Sequence, residues 1–195
     1  MKYILGLTGP TGSGKSSLCR AAEREGWQVI DCDKLARTAT DSPEVLKALT
    51  YVFGEDILDP SGKLIRAKLA QKAFSTKENT ELLNNTILPF IVELIKTQIA
   101  ESECDKIILD APTLFESGAD SLCSDTCAVL SDKKTRLVRI ISRDGITKEA
   151  ATLRISAGKP DRYYKGKTRH IIYNNGDEQN CVSAFLKLLS QLGGK

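Results

Sequence analysis

The stretch GPTGSGKS, residues 9–16, contains the residue types and spacing that most clearly suggest chemistry. It fits the pattern G-x-x-x-x-G-K-[ST] in full, follows an apolar run and precedes a helical pattern. Glycines let such a loop curl so that its backbone N–H groups face a phosphate, and the positive end of the following helix adds attraction. The Lys15 ammonium can reach the β- and γ-phosphates. The motif predicts that ATP is bound by Pro10, Thr11, Gly12, Ser13, Gly14, Lys15, Ser16 and Ser17.

Two acidic positions at predicted strand ends could act beside this loop. Asp33, in the segment IDCD of residues 30–33, could accept a proton from an attacking hydroxyl, hold water on magnesium, or cap the next helix. Asp110 ends the run IILD in the Walker B form and would bind Mg²⁺ directly or through water. Ligands of doubly wound sheets lie beyond the carboxyl ends of the strands, so both acids are expected near the loop. We therefore predict ATP and Mg²⁺ as cofactors, with Ser16 and Asp110 as metal ligands.

Three arginines share one face of a predicted helix, because Arg136, Arg139 and Arg143 are spaced three and four residues apart. Such a row is often a solvated basic face. It can also neutralise the charge of a phosphoryl group during transfer and close a mobile segment over it. The phosphate-binding motif upstream favours the second interpretation. The single histidine, His170, lies in an apolar run and is interpreted as a structural or partner-facing residue.

The elements that must position these residues alternate between strand and helix. Most of the strand candidates are nearly all apolar, which is typical of parallel strands covered on both faces. The fold class predicted is α/β: a P-loop NTPase-type, doubly wound, five-stranded parallel sheet with a helical substrate-binding insert and a helical lid. The predicted strands are Tyr3–Leu7, Gln28–Ile30, Lys106–Leu109, Thr126–Leu130 and His170–Tyr173.

The long interval between the second and third predicted strands is filled by helical patterns. A simple crossover is much shorter, so we predict an acceptor-binding insert over residues 34–100. The remaining residues, 1–33 and 101–195, form a nucleotide-binding core of one P-loop kinase domain, with the lid over 136–160. The helices predicted inside the insert cover residues 34–39, 43–53, 67–74, 77–86 and 89–100.

The bulk composition narrows the class of partner. The 195 residues are 41% hydrophobic and 27% charged, and the net charge of +3 comes from basic residues spread along the chain. This balance does not favour nucleic-acid binding, and no apolar run reaches the length of a membrane span. Six cysteines without a C-x-x-C pair indicate free thiols in a cytoplasmic protein. We expect a small-molecule substrate and a monomer or weak homo-oligomer.

Several segments in the same order resemble the dephospho-CoA kinase family over nearly the whole chain. The most diagnostic is VIDCDKLAR, residues 29–37, which is similar to the family pattern V-I-D-A-D-x-x-A-R. The other segments are LGLTGPTGSGKSS (5–17), FGEDILDPSGKLIRAKLAQKAF (53–74), APTLFE (111–116), RLVRIISRDGITKEAATLRISAG (136–158) and IIYNNG (171–176).

The resemblance implies transfer of the γ-phosphoryl group of ATP to the ribose 3′-hydroxyl of dephospho-CoA, the last step of coenzyme A biosynthesis. It implies that Asp33 is the general base and that Lys15, Arg139 and Arg143 assist catalysis, the two arginines by clamping phosphate. Asn174 would lie near the nucleotide base. The positions implied for acceptor binding are Asp33, Arg37, Arg66, Pro112, Leu114 and Glu116.

Three positions depart from the family pattern, and two other functions stay open. Leu88 precedes Pro89 where the family commonly has histidine, Gly158 replaces a glutamine that closes the lid segment, and Arg169 replaces an acidic residue. One alternative is another P-loop nucleoside or nucleotide kinase, against which the segment 31–37 argues. The other is a non-catalytic ATP-binding regulatory module, which would require neither Asp33 nor a lid.

Overall fold

A computed structural model describes residues 2–192, which form two compact units. The first unit contains the residues up to Asp31 and from Ser102 onward, and it is built on a five-stranded parallel sheet. Numbered along the chain, the strands lie in the order β2-β3-β1-β4-β5. The predicted fold class is confirmed, and each predicted strand is present to within one residue at either end. The strands are β1 Tyr3–Thr8, β2 Gln28–Asp31, β3 Lys106–Asp110, β4 Asp125–Leu130 and β5 His170–Tyr173.

The central strand β1 carries the main apolar core. Leu5 and Leu7 are fully buried, and β1 pairs with β3 on one side and β4 on the other. Helices α1 (Lys15–Arg24) and α9 (Glu178–Leu192) cover this core through Leu18 and Phe185. The carboxyl end of β1 leads directly into the glycine-rich loop, so the most buried strand fixes where the loop begins.

The remaining helices of this unit follow β4 and precede β5. They are α6 (Lys133–Asp144), α7 (Lys148–Ala157) and α8 (Asp161–Lys165). Two of these helices begin at side-chain N-caps: the Asp132 carboxylate accepts from the Thr135 N–H at 2.8 Å, and the Thr147 hydroxyl accepts from the Ala150 N–H at 3.2 Å. The short helix α8 was not predicted, because five residues carry too little periodicity.

The second unit, Cys32–Glu101, is helical around its own small core, which includes Val45, Leu49 and Ile57. The predicted break between residues 86 and 89 is wrong, because one helix continues through Pro89. An internal proline costs about 3 kcal/mol and removes a backbone hydrogen bond. The helix persists because Leu83 before the proline and Ile91 after it are both buried. The helices are α2 Cys32–Ala39, α3 Pro43–Phe53, α4 Arg66–Ala73 and α5 Lys77–Glu101.

The second unit begins at Cys32 and ends at Glu101, within two residues of the predicted insert of residues 34–100, whose acceptor-binding role stays a prediction. The description as one kinase domain with a lid over residues 136–160 stays a prediction. No helix within residues 2–192 combines the length and the apolar character that crossing a membrane requires.

Candidate active site

The glycine-rich loop has the backbone conformation of an anion cradle. Gly9, Gly12 and Gly14 have φ values of 140°, 77° and 95°, which side-chain-bearing residues rarely adopt. Gly14 is the N-cap of α1 and supplies no side-chain acceptor, so the first N–H groups of the helix are available to a ligand. The Lys15 ammonium donates to the Gly9 carbonyl at 3.1 Å and thus folds back over the loop. The loop is suited to binding phosphate.

The carbonyl side of the loop is held by side chains from α6 and from the end of β5. The Arg136 Nε donates to the Thr11 carbonyl at 2.9 Å. The Ser13 carbonyl accepts from the Asn174 Nδ2 at 2.9 Å and from the Arg139 Nη1 at 3.3 Å. Arg136 and Asn174 are each only 3% exposed. These contacts bring three distant sequence segments together at the loop.

Arg139 and Asn174 are also joined to each other. The Arg139 Nη2 donates to the Asn174 Oδ1 at 2.9 Å, and its Nη1 donates to the Asn174 carbonyl at 3.1 Å. The phosphate-clamping role of Arg139 and the base-side role of Asn174 stay predictions. Sequence reasoning missed that Arg136, which it treated only as one of a row, contacts the loop. The available signal was its position at the start of the helix that follows β4.

The third arginine of the row, Arg143, forms an ion pair with the neighbouring Asp144. The Arg143 Nε donates to the Asp144 Oδ1 at 2.7 Å, and Arg154 binds the same carboxylate. The hydrogen bond from Arg143 holds the pKa of Asp144 below its ordinary value. The structure therefore brings Arg136 and Arg139 to the loop and engages Arg143 with Asp144, and the catalytic role of Arg143 stays a prediction.

Oxygen ligands suitable for a cation occur at the carboxyl edge of the sheet. Asp110 is aligned in register with Leu7 of β1 and with Asp31 of β2. The Cys19 thiol donates to the Asp110 Oδ2 at 3.6 Å, and burial together with this carboxylate raises the pKa of the thiol, which remains protonated. Ser16 lies exposed in the first turn of α1. Their roles as metal ligands stay predictions.

The segment after β3 is packed against the sheet and against α8. The Thr8 hydroxyl donates to the Pro112 carbonyl at 3.3 Å, and Leu114 is fully buried. Burial, reinforced by the Glu116 carboxylate, raises the pKa of Tyr163 to about 12. These contacts fix the backbone of residues 111–116. The acceptor-binding roles of Pro112, Leu114 and Glu116 stay predictions.

The other predicted acceptor residues belong to the helical unit. Asp33 and Arg37 are exposed and lie one turn apart on α2. Arg66, at the start of α4, donates to the Thr40 hydroxyl at 2.8 Å, to the Arg37 carbonyl at 3.2 Å and to the Asp41 carboxylate at 2.8 Å. Arg66 thereby ties α4 to the end of α2. The roles of Asp33, Arg37 and Arg66 stay predictions.

The comparisons with known proteins agree over almost the whole chain. The dephospho-CoA kinase family model matches residues 3–180. The chain is 37% identical over 175 residues to the dephospho-CoA kinase of Fusobacterium nucleatum, covering 89% of this chain and 90% of that protein. The chain belongs to the dephospho-CoA kinase family. It is also 34% identical over 193 residues to the dephospho-CoA kinase of Arabidopsis thaliana, covering 97% of this chain and 83% of that protein.

Solved structures support the same assignment of fold. The crystal structure of TT1252 from Thermus thermophilus matches with a TM-score of 0.82 and 28% identity, covering 98% of each chain. The dephospho-CoA kinase from Campylobacter jejuni matches with a TM-score of 0.62 and 24% identity, covering 98% of this chain and 97% of that one. A shikimate kinase from Bacteroides thetaiotaomicron has a TM-score of 0.55 and 14% identity, with 98% of each chain covered. The last two likenesses show that dephospho-CoA kinases share this fold with other P-loop kinases.

Proposed function

We propose that this chain transfers the γ-phosphoryl group of ATP to the ribose 3′-hydroxyl of dephospho-CoA, giving coenzyme A and ADP. The observation that carries the proposal is the family match over residues 3–180, which includes both the phosphate loop and the helical unit. The activity belongs to the phosphotransferases that act on an alcohol group, EC 2.7.1.24.

On the nucleotide side, the N–H groups of the loop and of the first turn of α1 would hold the β- and γ-phosphates. The Lys15 ammonium would exchange the Gly9 carbonyl for phosphate oxygens. Transfer of a phosphoryl group requires little covalent help, so positioning and neutralisation of charge dominate the rate. Lys15, Arg139 and Arg143 would supply that positive charge.

The predicted metal ligands suit magnesium. Mg²⁺ prefers hard oxygen ligands and is commonly held by one or two protein groups together with water and substrate phosphates. A Ser16 hydroxyl and an Asp110 carboxylate fit this donor set. When bound, Mg²⁺ would neutralise charge on the β- and γ-phosphates.

On the acceptor side, the Asp33 carboxylate would accept the proton of the 3′-hydroxyl as that oxygen attacks the γ-phosphorus. Arg37 and Arg66 would bind anionic groups of dephospho-CoA. Arg66 already donates to protein acceptors through both terminal nitrogens, so the two atoms are held in a defined orientation. Pro112, Leu114 and Glu116 would form a further part of the acceptor site.

The six free cysteines within the chain fit a reducing compartment, and we propose a cytoplasmic enzyme that acts as a monomer or weak homo-oligomer. The proposed partner is a small molecule, without nucleic acid or membrane.

The deciding experiment measures ADP release from ATP and Mg²⁺ with dephospho-CoA, without an acceptor, and with AMP. The proposal expects release that depends on dephospho-CoA and yields coenzyme A. Preferential phosphorylation of AMP would indicate another nucleotide kinase. Binding of ATP without ADP release in any arm would indicate a regulatory module.

A further inference from the structure

Two buried side chains, Arg136 and Asn174, donate hydrogen bonds to carbonyl groups of the phosphate loop. We infer that Arg136 and Asn174 are positioning residues that direct the N–H groups of Gly12 and Gly14 towards the phosphates. The inference rests on the proposed function, because it takes the ligand of the loop to be the phosphate chain of ATP.

Each carbonyl group shares a rigid peptide plane with the N–H group of the next residue. In a trans peptide the N–H points away from the carbonyl of the preceding residue, and no peptide bond within residues 2–192 is cis. Arg136 binds the Thr11 carbonyl, which shares a peptide plane with the Gly12 N–H. Asn174 binds the Ser13 carbonyl, which shares a plane with the Gly14 N–H. Fixing the two carbonyls on one side therefore fixes the two N–H groups on the other.

The glycines show how closely this support approaches the loop. A Cβ atom added to Gly12 would lie 3.0 Å from the Arg136 carbonyl oxygen and 3.0 Å from the Ile140 Cγ1. One added to Gly14 would lie 2.2 Å from the Asn174 Nδ2. A side chain at either position would therefore have to displace α6 or Asn174, so the supporting groups lie in direct contact with the loop. A loop held this way loses little conformational entropy when phosphate binds.

Burial of the Arg136 side chain lowers the stability of the fold. The residue is 3% exposed, and its Nη2 has no hydrogen-bond partner among residues 2–192. Burial also lowers the pKa of Arg136 below its ordinary value. An unsatisfied buried donor costs about 1–3 kcal/mol, and an apolar side chain of similar volume is often as stable as a buried charge. Stability of the fold therefore does not account for the arginine, whereas its hydrogen bond to the loop does.

The experiment compares Arg136→Gln with Arg136→Met, two side chains of similar size of which only glutamine has a hydrogen-bond donor. We expect Arg136→Met to weaken ATP binding, measured by calorimetry without acceptor, by about tenfold or more, since one hydrogen bond to a constrained carbonyl is lost. The KM for ATP should rise equally, while kcat and the KM for dephospho-CoA stay within about threefold. Arg136→Gln should recover most of the affinity. The melting temperature of Arg136→Met should not fall below that of the glutamine variant.

Two further variants distinguish an effect on the loop from other causes of weaker ATP binding. Lys134→Ala removes an exposed cation from the same helix and should leave ATP affinity unchanged. Asn174→Asp replaces the donor to Ser13 by an acceptor, so it should weaken ATP and ADP together by tenfold or more. Inhibition by adenosine, which has no phosphate, should be the same in the wild-type protein, both Arg136 variants and Lys134→Ala.

The outcomes distinguish this inference from the proposed function. Equal ATP affinity of the glutamine and methionine variants would overturn the inference, as would an Asn174→Asp variant that binds ATP normally. If the variants differ in ATP affinity as expected but the wild-type protein releases no ADP with dephospho-CoA, only the proposed function is overturned. If Arg136→Met does not fold, Asn174→Asp decides the inference by the same ATP and ADP measurements.

Discussion

The phosphate loop and the predicted acceptor residues of the helical unit are held by different kinds of interaction. Around the loop, the side chains that contact its carbonyls are almost fully buried, as Arg136 and Asn174 show. In the helical unit, Asp33 and Arg37 are exposed, and the Arg66–Asp41 ion pair has side chains 51% and 65% exposed. Such surface pairs contribute about 0–1 kcal/mol. The loop is thus held by buried hydrogen bonds, whereas the acceptor residues of the helical unit lie at the surface, where solvent weakens the ion pairs that hold them.

This difference predicts that variants in the two regions should differ in their effects on ATP affinity and on turnover. Changes at a preformed loop should weaken nucleotide binding even without an acceptor, because the donors no longer hold the bound geometry. Changes at exposed acceptor residues should leave ATP affinity intact and should appear only when dephospho-CoA is present. Measuring ATP affinity and turnover on the same variant therefore tests the contrast directly.

The largest effect is expected for Lys15→Ala. This change removes the cation that can reach the transferred phosphoryl group, and preorganised charges of this kind contribute about 10³-fold or more to the rate. We expect turnover close to background, measured as ADP release at saturating dephospho-CoA. A variant that retained more than a tenth of the wild-type rate would contradict the assignment of the loop to catalysis.

Asp33→Asn should lower kcat by about 10²–10⁴, the usual range for losing a general base, with ATP affinity unchanged. The amide keeps the size of the side chain but cannot take the proton of the 3′-hydroxyl. Rapid-quench measurement of coenzyme A formation, beside calorimetry with ATP, checks both parts. A nearly normal kcat would remove Asp33 from the role of base.

Gly14→Ala should damage the loop, because its Cβ would lie 2.2 Å from the Asn174 Nδ2 and because φ is 95°. The left-handed conformation alone costs about 1–2 kcal/mol for a side-chain-bearing residue. Gly26→Ala is the matched control, since φ is 80° there and, beyond the adjoining residues, no atom of residues 2–192 lies within 4 Å of the added atom. In urea titrations we expect both variants to lose stability, Gly14→Ala more, and only Gly14→Ala to lose ATP affinity. Similar losses of stability and ATP affinity in the two variants would show that the Asn174 side chain moves aside at little energetic cost.

Arg66→Ala should raise the KM for dephospho-CoA by about tenfold, as expected for one charged hydrogen bond, and leave the dissociation constant of ATP unchanged. Asp41→Asn, which removes only the surface partner, should change that KM by less than threefold. Steady-state kinetics in both substrates makes the comparison. An equal rise in the KM for ATP in Arg66→Ala would contradict the prediction that this residue acts only on the acceptor.

Much of the fold could be predicted because local patterns agree with the tertiary structure. The strands are short apolar runs, and α6 and α7 follow Asp132 and Thr147, residue types that commonly cap helices and do so here. The failure at Pro89 shows the limit: a local rule ends the helix, while the burial of Leu83 and Ile91 outweighs it. The loop could also be predicted from local sequence, since one short motif specifies it. Its support by Arg136 and Asn174 joins residues more than a hundred positions apart, and no spacing within the sequence encodes such contacts.

The smallest expected effect concerns the start of α6, the helix that carries Arg136. Hydrogen bonds from the Thr135 N–H and hydroxyl lower the pKa of Asp132, so the folded state favours its charged form. That stabilisation is complete above the ordinary aspartate pKa of about 4 and is lost as the pH falls through the lower folded value. Asp132→Asn keeps a good cap but loses the charge at the positive end of the helix. Urea titrations at several pH values should show the variant slightly less stable at pH 7, with the difference vanishing once the pH is below the lowered pKa of Asp132. A difference that persisted at low pH would show that the charge of Asp132 is not what stabilises this helix beneath the loop.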